Sequence, residues 1–504
     1  MKYNILSKLG NVIILFFVII VVTITIKGSS DIKYYQNNID TRMFGPFETS
    51  NNSSRFALTE AIVKNKSLFL SDELASVASP DLTKINGKFI TIFTPGISFM
   101  GLPFYYLGYK FGYPQISTYL LSSFISIINI YLIANILLKL KMNKWISIFC
   151  GLIYLFATNS LSYSNSFNQH QVSTFLLLLS ILLSIKPITY LNNLIFGIIY
   201  GIAILVDIPN ALLLLPILTY QACRNVRVIP EKKIYSLKIN TSILLIVMGL
   251  LPSMFLFGWY NRSVTGDYLK LGQVYGRYIY TNTRIEDVVE ISKKKDKSEF
   301  KQFDSRRLLS GLTVLLFSRD RGIVVYSPIF IFGIVGMIIA SKRKNNYLNI
   351  ILLSTVIMNL IVYSLFNDPW GGWAFGPRYL IPSNAILSLL IAFTINKYYK
   401  NLLFISILGI VLIYSVSINV LGALTTQLVP SSVQLPFLTG KVSDTFLYNY
   451  SFLKSNMSSS LFYNLLLADH INFANFVAIV VIAMIIFFGV IYLLILKDKN
   501  KSHE

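Results

Sequence analysis

Apolar runs of 15 or more residues recur along the whole 504-residue chain, and about twelve of them are long enough to enter or cross a bilayer. They lie near 10–27, 116–138, 145–159, 171–185, 190–206, 208–222, 241–260, 322–341, 347–366, 379–396, 402–424 and 475–497. Composition agrees: 54% of residues are hydrophobic and only 13% charged, with a mean hydropathy of +0.62. In hydrocarbon every backbone amide must be satisfied within its own segment, so runs of this kind fold as helices. The expected fold is all-α, a polytopic transmembrane bundle of about twelve spans.

The charges say how such a bundle is oriented. Net charge is +22, but no aromatic–basic recognition module accompanies it, so nucleic acid is not an expected partner. The basic residues instead crowd the linkers on one side: Lys139-Leu-Lys-Met-Asn-Lys144, Arg224 to Lys238, Ser341-Lys-Arg-Lys344, Lys397 to Lys400 and Lys497-Asp-Lys-Asn-Lys501. The positive-inside rule makes that side cytoplasmic and puts both termini there, as in a multi-pass protein of the cell membrane. The parity requires a break at Asp207-Ile-Pro209, where a charge and a proline are suited to ending a helix. The run at 11–26 lacks a small-residue cleavage site and reads as a retained span. Neither Cys150 nor Cys223 is placed for a disulfide, and no Cys or His pair has metal-ligand spacing. No cofactor is therefore assigned, and a divalent metal is left open.

Three long segments then face the exterior: 28–115, 261–321 and 425–474. This organises the chain as a catalytic transmembrane region 1–424, an exterior loop 425–474, and a last helix with cytoplasmic tail 475–504. Within the first loop, Ser53 to Lys64 reads as an amphipathic helix with Ser53 or Ser54 as N-cap. The stretches 97–107 and 308–317 are apolar but too short to span, so they are expected along the interface.

Nearly every unusual polar cluster falls on the exterior face. Arg55, Glu60, Asp72, Glu73 and Asp81 are in the first loop; His170 precedes a span, and Asp207 ends another. Arg319, Asp320 and Arg321 precede a further span, and Phe366-Asn-Asp-Pro-Trp-Gly-Gly-Trp-Ala-Phe-Gly-Pro-Arg378 follows the next. In that loop Trp370 and Trp373 offer flat faces for a sugar, and Arg378 is a planar donor suited to phosphate. An interfacial aromatic belt with a snorkelling Arg would also place Trp and Arg there, but it does not explain Gly371, Gly372 and Gly376. Polar side chains gathered at one boundary indicate a site open to that side and to lipid.

Several stretches resemble the C-type glycosyltransferases, a superfamily that includes protein O-mannosyltransferases and lipid A aminoarabinose transferases. They are Pro95-Gly-Ile-Ser-Phe-Met-Gly-Leu-Pro103, Gly201-Ile-Ala-Ile-Leu-Val-Asp207, Gly322-Ile-Val-Val-Tyr-Ser-Pro328 and the Trp-Gly loop, behind one span and a large exterior loop. The resemblance implies an inverting hexosyl or pentosyl transferase. Its donor would be a polyprenyl-phosphate-linked sugar, and its acceptor a glycan, lipid or protein at the outer face of the bilayer. It also implies a general base from the first loop. Where the family often carries Asp-Glu this chain has Asn52 and Ser53, which passes that role to Asp72 or Glu48. Arg55, Arg319, Arg321 and Arg378 are then expected at the donor phosphate, with His170, Trp370 and Trp373 lining the substrate. The position of Asp207 is more usually basic in relatives. A polysaccharide polymerase or ligase, and a lipid or glycan flippase, are the competing readings. A flippase should carry charges along a path through its spans and show two-fold repetition; these spans are charge-poor and no repeat is evident.

Overall fold

The structure is a computed structural model that describes residues 2–29, 39–230, 235–280, 303–342, 347–438, 440 and 442–501. Much of the lysine-rich part of the second exterior segment, and the basic linker after Ser341-Lys342, lie outside these residues.

Each apolar run becomes helical. In chain order, α1 is Lys2–Ile24, and the first exterior segment holds α2 (Ser50–Lys64), α3 (Asp72–Ala78), the hairpin β1 (Leu82–Ile85) and β2 (Lys88–Thr91), and α4 (Gly96–Lys110). The bundle continues with α5 (Pro114–Lys139), α6 (Lys144–Phe156), α7 (His170–Ile185), α8 (Tyr190–Val206), α9 (Leu215–Arg224) and α10 (Leu244–Thr265). Then come α11 (Leu308–Phe317), α12 (Ile331–Ser341), α13 (Tyr347–Leu365), α14 (Ile381–Tyr398) and α15 (Leu402–Leu424). The last exterior segment carries α16 (Leu447–Lys454) and α17 (Leu461–Leu466), and α18 (Phe473–Lys501) closes the chain. Among the described residues, six helices are long and apolar enough to cross a membrane and five more are shorter apolar helices. The protein is an all-α polytopic membrane protein, with two small hairpins besides among the described residues.

The break at Asp207 falls where expected: α8 ends at Val206 and a single turn, Asn210–Leu213, starts beyond Pro209. The run 322–341 is interrupted instead of continuous. One turn, Ile323–Tyr326, ends at Ser327 before Pro328 restarts the chain. A proline cannot donate to the preceding turn, which shortens this span. The first-loop helix starts earlier than the serines suggested. Thr49 is its N-cap, accepting from the Asn52 amide at 3.4 Å. Ser53 and Ser54 instead donate out of the helix, to Val77 O and Asp81 O, both at 2.6 Å. Nor is α2 amphipathic over its first turns, since Asn52 through Ala61 are all buried. Here tertiary partners, not solvent, satisfy the polar side chains.

Helix α14 lies at the centre: 94% of its most apolar window is buried, against 22% for the span that includes α10. Lipid gives apolar side chains no reason to leave it, so packing in such a bundle relies on close fit and polar pairs. Asn384 Nδ2 donates to Asn159 Oδ1 at 2.9 Å and Thr394 Oγ1 to Phe332 O at 2.6 Å, tying α14 to its neighbours.

The two ends of the bundle differ chemically. At one, Asn143 donates to Asp498 at 2.6 Å and Lys499 to Asn396 at 2.6 Å, which gathers basic linkers and the C-terminal helix. At the other, the segments 28–115 and 425–474 interlock through Glu48. It is 1% exposed and pairs with Lys27. It also accepts from Phe44 N at 3.0 Å, Thr426 Oγ1 at 2.8 Å and Gln427 N at 2.8 Å.

Sidedness is open to direct measurement. Single cysteines replacing exposed Glu73 and Ser455, in a background free of Cys150 and Cys223, should react together with an impermeant thiol reagent. A cysteine replacing Lys400, at the basic end, should react only after the membrane is opened. Labelling of the Lys400 variant in intact cells would reverse the orientation.

Candidate active site

The site is assembled by three chain segments meeting at the end opposite the basic linkers. The first is α2 with α4. Ser98 Oγ donates to Arg55 O at 2.8 Å, and Thr59 Oγ1 to Ser98 O at 3.0 Å, which fixes α2 on the start of α4. That start rests on the end of α8: Thr94 Oγ1 donates to Val206 O at 2.9 Å. At Gly96 a Cβ would stand 2.4 Å from Leu205 O, so only glycine permits the approach. The consequence is that Arg55 and Asp207, far apart in sequence, become neighbours.

Arg55 is 1% exposed. Its Nη1 donates to Asn51 Oδ1, its guanidinium lies 3.9 Å from the centre of the Phe93 ring, and its Nε has no acceptor. Burial lowers its pKa, opposed chiefly by Asp207 and then by Asp81, and it keeps its charge.

The Trp-Gly loop is the second segment. Gly371, Gly372 and Gly376 all adopt the left-handed region, at φ 69°, 66° and 64°, which other residues enter only at a cost. Asp368 Oδ2 accepts from Gly372 N at 2.9 Å. Arg321 pins the loop from beneath. Fully buried, it donates to Trp370 O, Gly372 O and Asp320 O at 2.8 Å and to Val429 O at 2.9 Å. The loop delivers Arg378 beside Gly371, where any Cβ would lie 2.8 Å from Arg378 Nε. That Nε also lacks an acceptor, as do the buried Nε1 atoms of Trp370 and Trp373.

His170, at the start of α7, is the third contribution, 4% exposed. Its ring stands edge-on to Tyr163 at 5.5 Å and Tyr379 at 6.3 Å. Tyr379 stacks on Tyr363 at 4.2 Å and lies 5.5 Å from the Arg378 guanidinium. The Tyr163 hydroxyl accepts from Phe375 N at 3.1 Å. Both Arg55 and Arg378 are within electrostatic reach of His170 and of Asp207.

Of the residues singled out from sequence, the structure thus brings together Arg55, His170 and Arg378, with Trp370 and Trp373 in the same loop. It leaves the others elsewhere. Glu48 is not free to act as a base, because its two oxygens already take four donors. Asp72 is exposed on the first turn of α3, receiving only a 3.2 Å hydrogen bond from Tyr280 among the described contacts. The side chain of Arg319 is 69% exposed and pairs with Asp444. Arg321 spends its donors on backbone carbonyls, so it organises the loop and does not reach a phosphate. Tyr163, Tyr363 and Tyr379 were not distinguishable in the sequence, since tyrosines near span ends are ordinary; only for Tyr379 was there a signal, its place next to Arg378. Among the described residues no three His, Cys, Asp or Glu side chains are grouped to hold a metal.

Asp207 is the acidic member of the cluster. Crowding by protein raises its pKa to about 6, opposed chiefly by the nearby positive charge of Arg55. The folded value lies above the ordinary 3.8, so this carboxyl favours folding in its neutral form. That contribution is complete below about pH 3.8 and is lost as pH rises through about 6. The melting temperature of Asp207→Asn in detergent should therefore gain on the natural protein between pH 4 and 7. A constant difference across that range would mean an unperturbed carboxyl.

No family model matches the chain, and no curated protein matches it. Solved structures do. ArnT from Cupriavidus metallidurans in the apo state is 10% identical, with a TM-score of 0.47 over 82% of this chain and 70% of that one. The same protein bound to undecaprenyl phosphate gives 11% identity and 0.47 over 98% and 77%. The Archaeoglobus fulgidus oligosaccharyltransferase complex with Zn and sulfate gives 13% and 0.38, over 82% of this chain and 53% of that one. At such identities and scores the likeness carries no functional weight, and the chemistry rests on the residues themselves.

Proposed function

We propose that this protein transfers a sugar from a polyprenyl-phosphate-linked donor to an acceptor at the outer face of the cell membrane, with both termini inside. One observation carries the reading: at a single boundary of the bundle, four buried donors lack acceptors, namely Arg55 Nε, Arg378 Nε, Trp370 Nε1 and Trp373 Nε1. Other buried polar atoms of the protein also lack partners, but these four are donors on cationic and aromatic side chains, a set suited to an acceptor-rich, anionic ligand. A phosphate held at the level of the headgroups by a lipid tail fits the position. Aromatic faces beside the arginines suit the sugar it would carry. Charges grouped at one end, instead of spread along the spans, favour an interfacial enzyme over a flippase.

In transfer, the bond between the anomeric carbon and the phosphate oxygen breaks and the phosphate gains charge. Arg55 and Arg378 would meet that charge with fixed dipoles in a site poor in water. The test is mass spectrometry of lipid-linked sugars in cells lacking the gene. A single accumulating polyprenyl-phosphate sugar is expected, cleared by the natural protein; an unchanged lipid profile would overturn the reading.

A further inference from the structure

We propose that Asp207 is the general base of this transfer, taking the proton of the attacking acceptor in place of a first-loop carboxylate. This rests on the transferase reading above.

The nearby acids are otherwise engaged. Glu48 holds the exterior segments together with its four donors. Asp81 accepts from Ser50 at 2.8 Å and pairs with Arg277 at 2.9 Å. Asp368 accepts from Gly372 and shapes the Trp-Gly loop. Asp207 lies at the end of α8, against the start of α4 that carries α2, and is within electrostatic reach of both arginines of the proposed phosphate site. It is also placed for access. The cluster behind it is buried, whereas Asp207 is partly exposed and the next residue, Ile208, is 41% exposed. The backbone holds the group steady: Asp207 N donates to Ala203 O at 3.1 Å as the last turn of α8, and Asn210 N donates to Asp207 O at 3.0 Å. Asn210 in turn donates to Ser173 of α7 at 2.9 Å, linking this turn to the helix that begins with His170.

The proton and electron balance is simple. A carboxylate oxygen of Asp207 takes the acceptor's proton, and the freed lone pair forms the new bond to the anomeric carbon. The electron pair of the breaking carbon–oxygen bond leaves with the polyprenyl phosphate, onto the Arg55 and Arg378 side. A carboxyl titrating near 6 is still ionised at neutral pH and is a stronger base than one at the ordinary value. The alternative is that Asp207 merely neutralises the two arginines. That alternative predicts an effect on phosphate binding, whereas a base predicts an effect on turnover.

The experiment compares Asp207→Asn and Asp207→Glu with the natural protein in nanodiscs and in deletion cells. Undecaprenyl phosphate is the binding probe, followed by quenching of tryptophan fluorescence. Clearance of the accumulated lipid-linked sugar is the measure of turnover. Asp207→Asn should bind the probe at least as tightly as the natural protein, having lost a negative neighbour. Its clearance should fall roughly 10²–10⁴-fold, the span for loss of a general base, with partial recovery in Asp207→Glu. Clearance by Asp207→Asn at the natural rate would overturn the proposal, as would weakened binding with unchanged turnover per bound donor. Should the Asn variant not fold, Asp207→Glu carries the test alone: a displaced base requires slower clearance with binding intact, and unchanged clearance overturns it. Failure of the natural protein itself to bind the probe, with no lipid accumulating on deletion, would overturn the transferase reading and this proposal with it.

Discussion

Arg378→Ala should lower turnover about 10²–10³-fold while the protein still folds, the usual loss when one preorganised donor to a developing charge is deleted. The size follows from where the side chain stands. Its Nε has no acceptor within the protein, so the donor that Arg378→Ala removes there is one the fold does not use, and the loss should fall on the ligand. A phosphate that departs with increased charge is held more tightly in the transition state than in the bound donor, so the loss appears in the rate more than in binding. Arg378→Lys is informative because it keeps the charge. A single ammonium cannot reproduce the planar, two-pronged contact of a guanidinium, so this variant should also be impaired. Clearance of lipid-linked sugar in deletion cells measures both. Natural clearance by Arg378→Ala would reduce the residue to a boundary anchor and remove the Trp-Gly loop from the active site.

Arg321→Ala should behave in the opposite way, failing to accumulate as folded protein. Its guanidinium satisfies four backbone carbonyls, on Asp320, Trp370, Gly372 and Val429. Each buried carbonyl left bare costs about 1–3 kcal/mol, and the whole stability of a folded domain is only about 5–15 kcal/mol. Arg321→Lys should rescue little, since one ammonium on a flexible stem cannot span carbonyls from three chain segments. Size-exclusion profiles of the detergent-solubilised variants give the readout. A monodisperse Arg321→Ala with natural thermal stability would show that the Trp-Gly loop holds its shape without this pin. Together the two arginines separate the roles of a charge aimed at ligand and a charge aimed at backbone.

How much of this could be read beforehand differs between the two arginines and the acids. Arg378 was marked by its loop, because two glycines between tryptophans and a third just after them, at a span boundary, have no role in an ordinary helix end, and all three indeed take positive φ. Arg321 carried the same local signal of a basic residue at an exterior boundary, yet its donors turn inward. Sequence gives the position of a guanidinium but not the direction of its forks. The acids misled for a related reason. Glu48 and Asp72 belong to the segment in which the base was expected, but three-dimensional neighbours consume the first and solvent surrounds the second.

The sequence by itself determined that the chain is an all-α bundle, where its helices begin and end to within a turn in most cases, and which polar groups share one end of it. Those properties are local. They follow from apolar run length, from proline and charge at helix ends, and from the alternation of basic linkers, each legible within about twenty residues. Only the tertiary structure decided which of these polar groups meet. The electrostatic proximity of Arg55 and Asp207 depends on the backbone of Gly96 pressing against Leu205 and on Thr94 reaching Val206, pairings more than a hundred residues apart. Whether a buried charge serves the fold or a ligand is set by the acceptors left over once the backbone has been satisfied, and that remainder exists only in the folded protein.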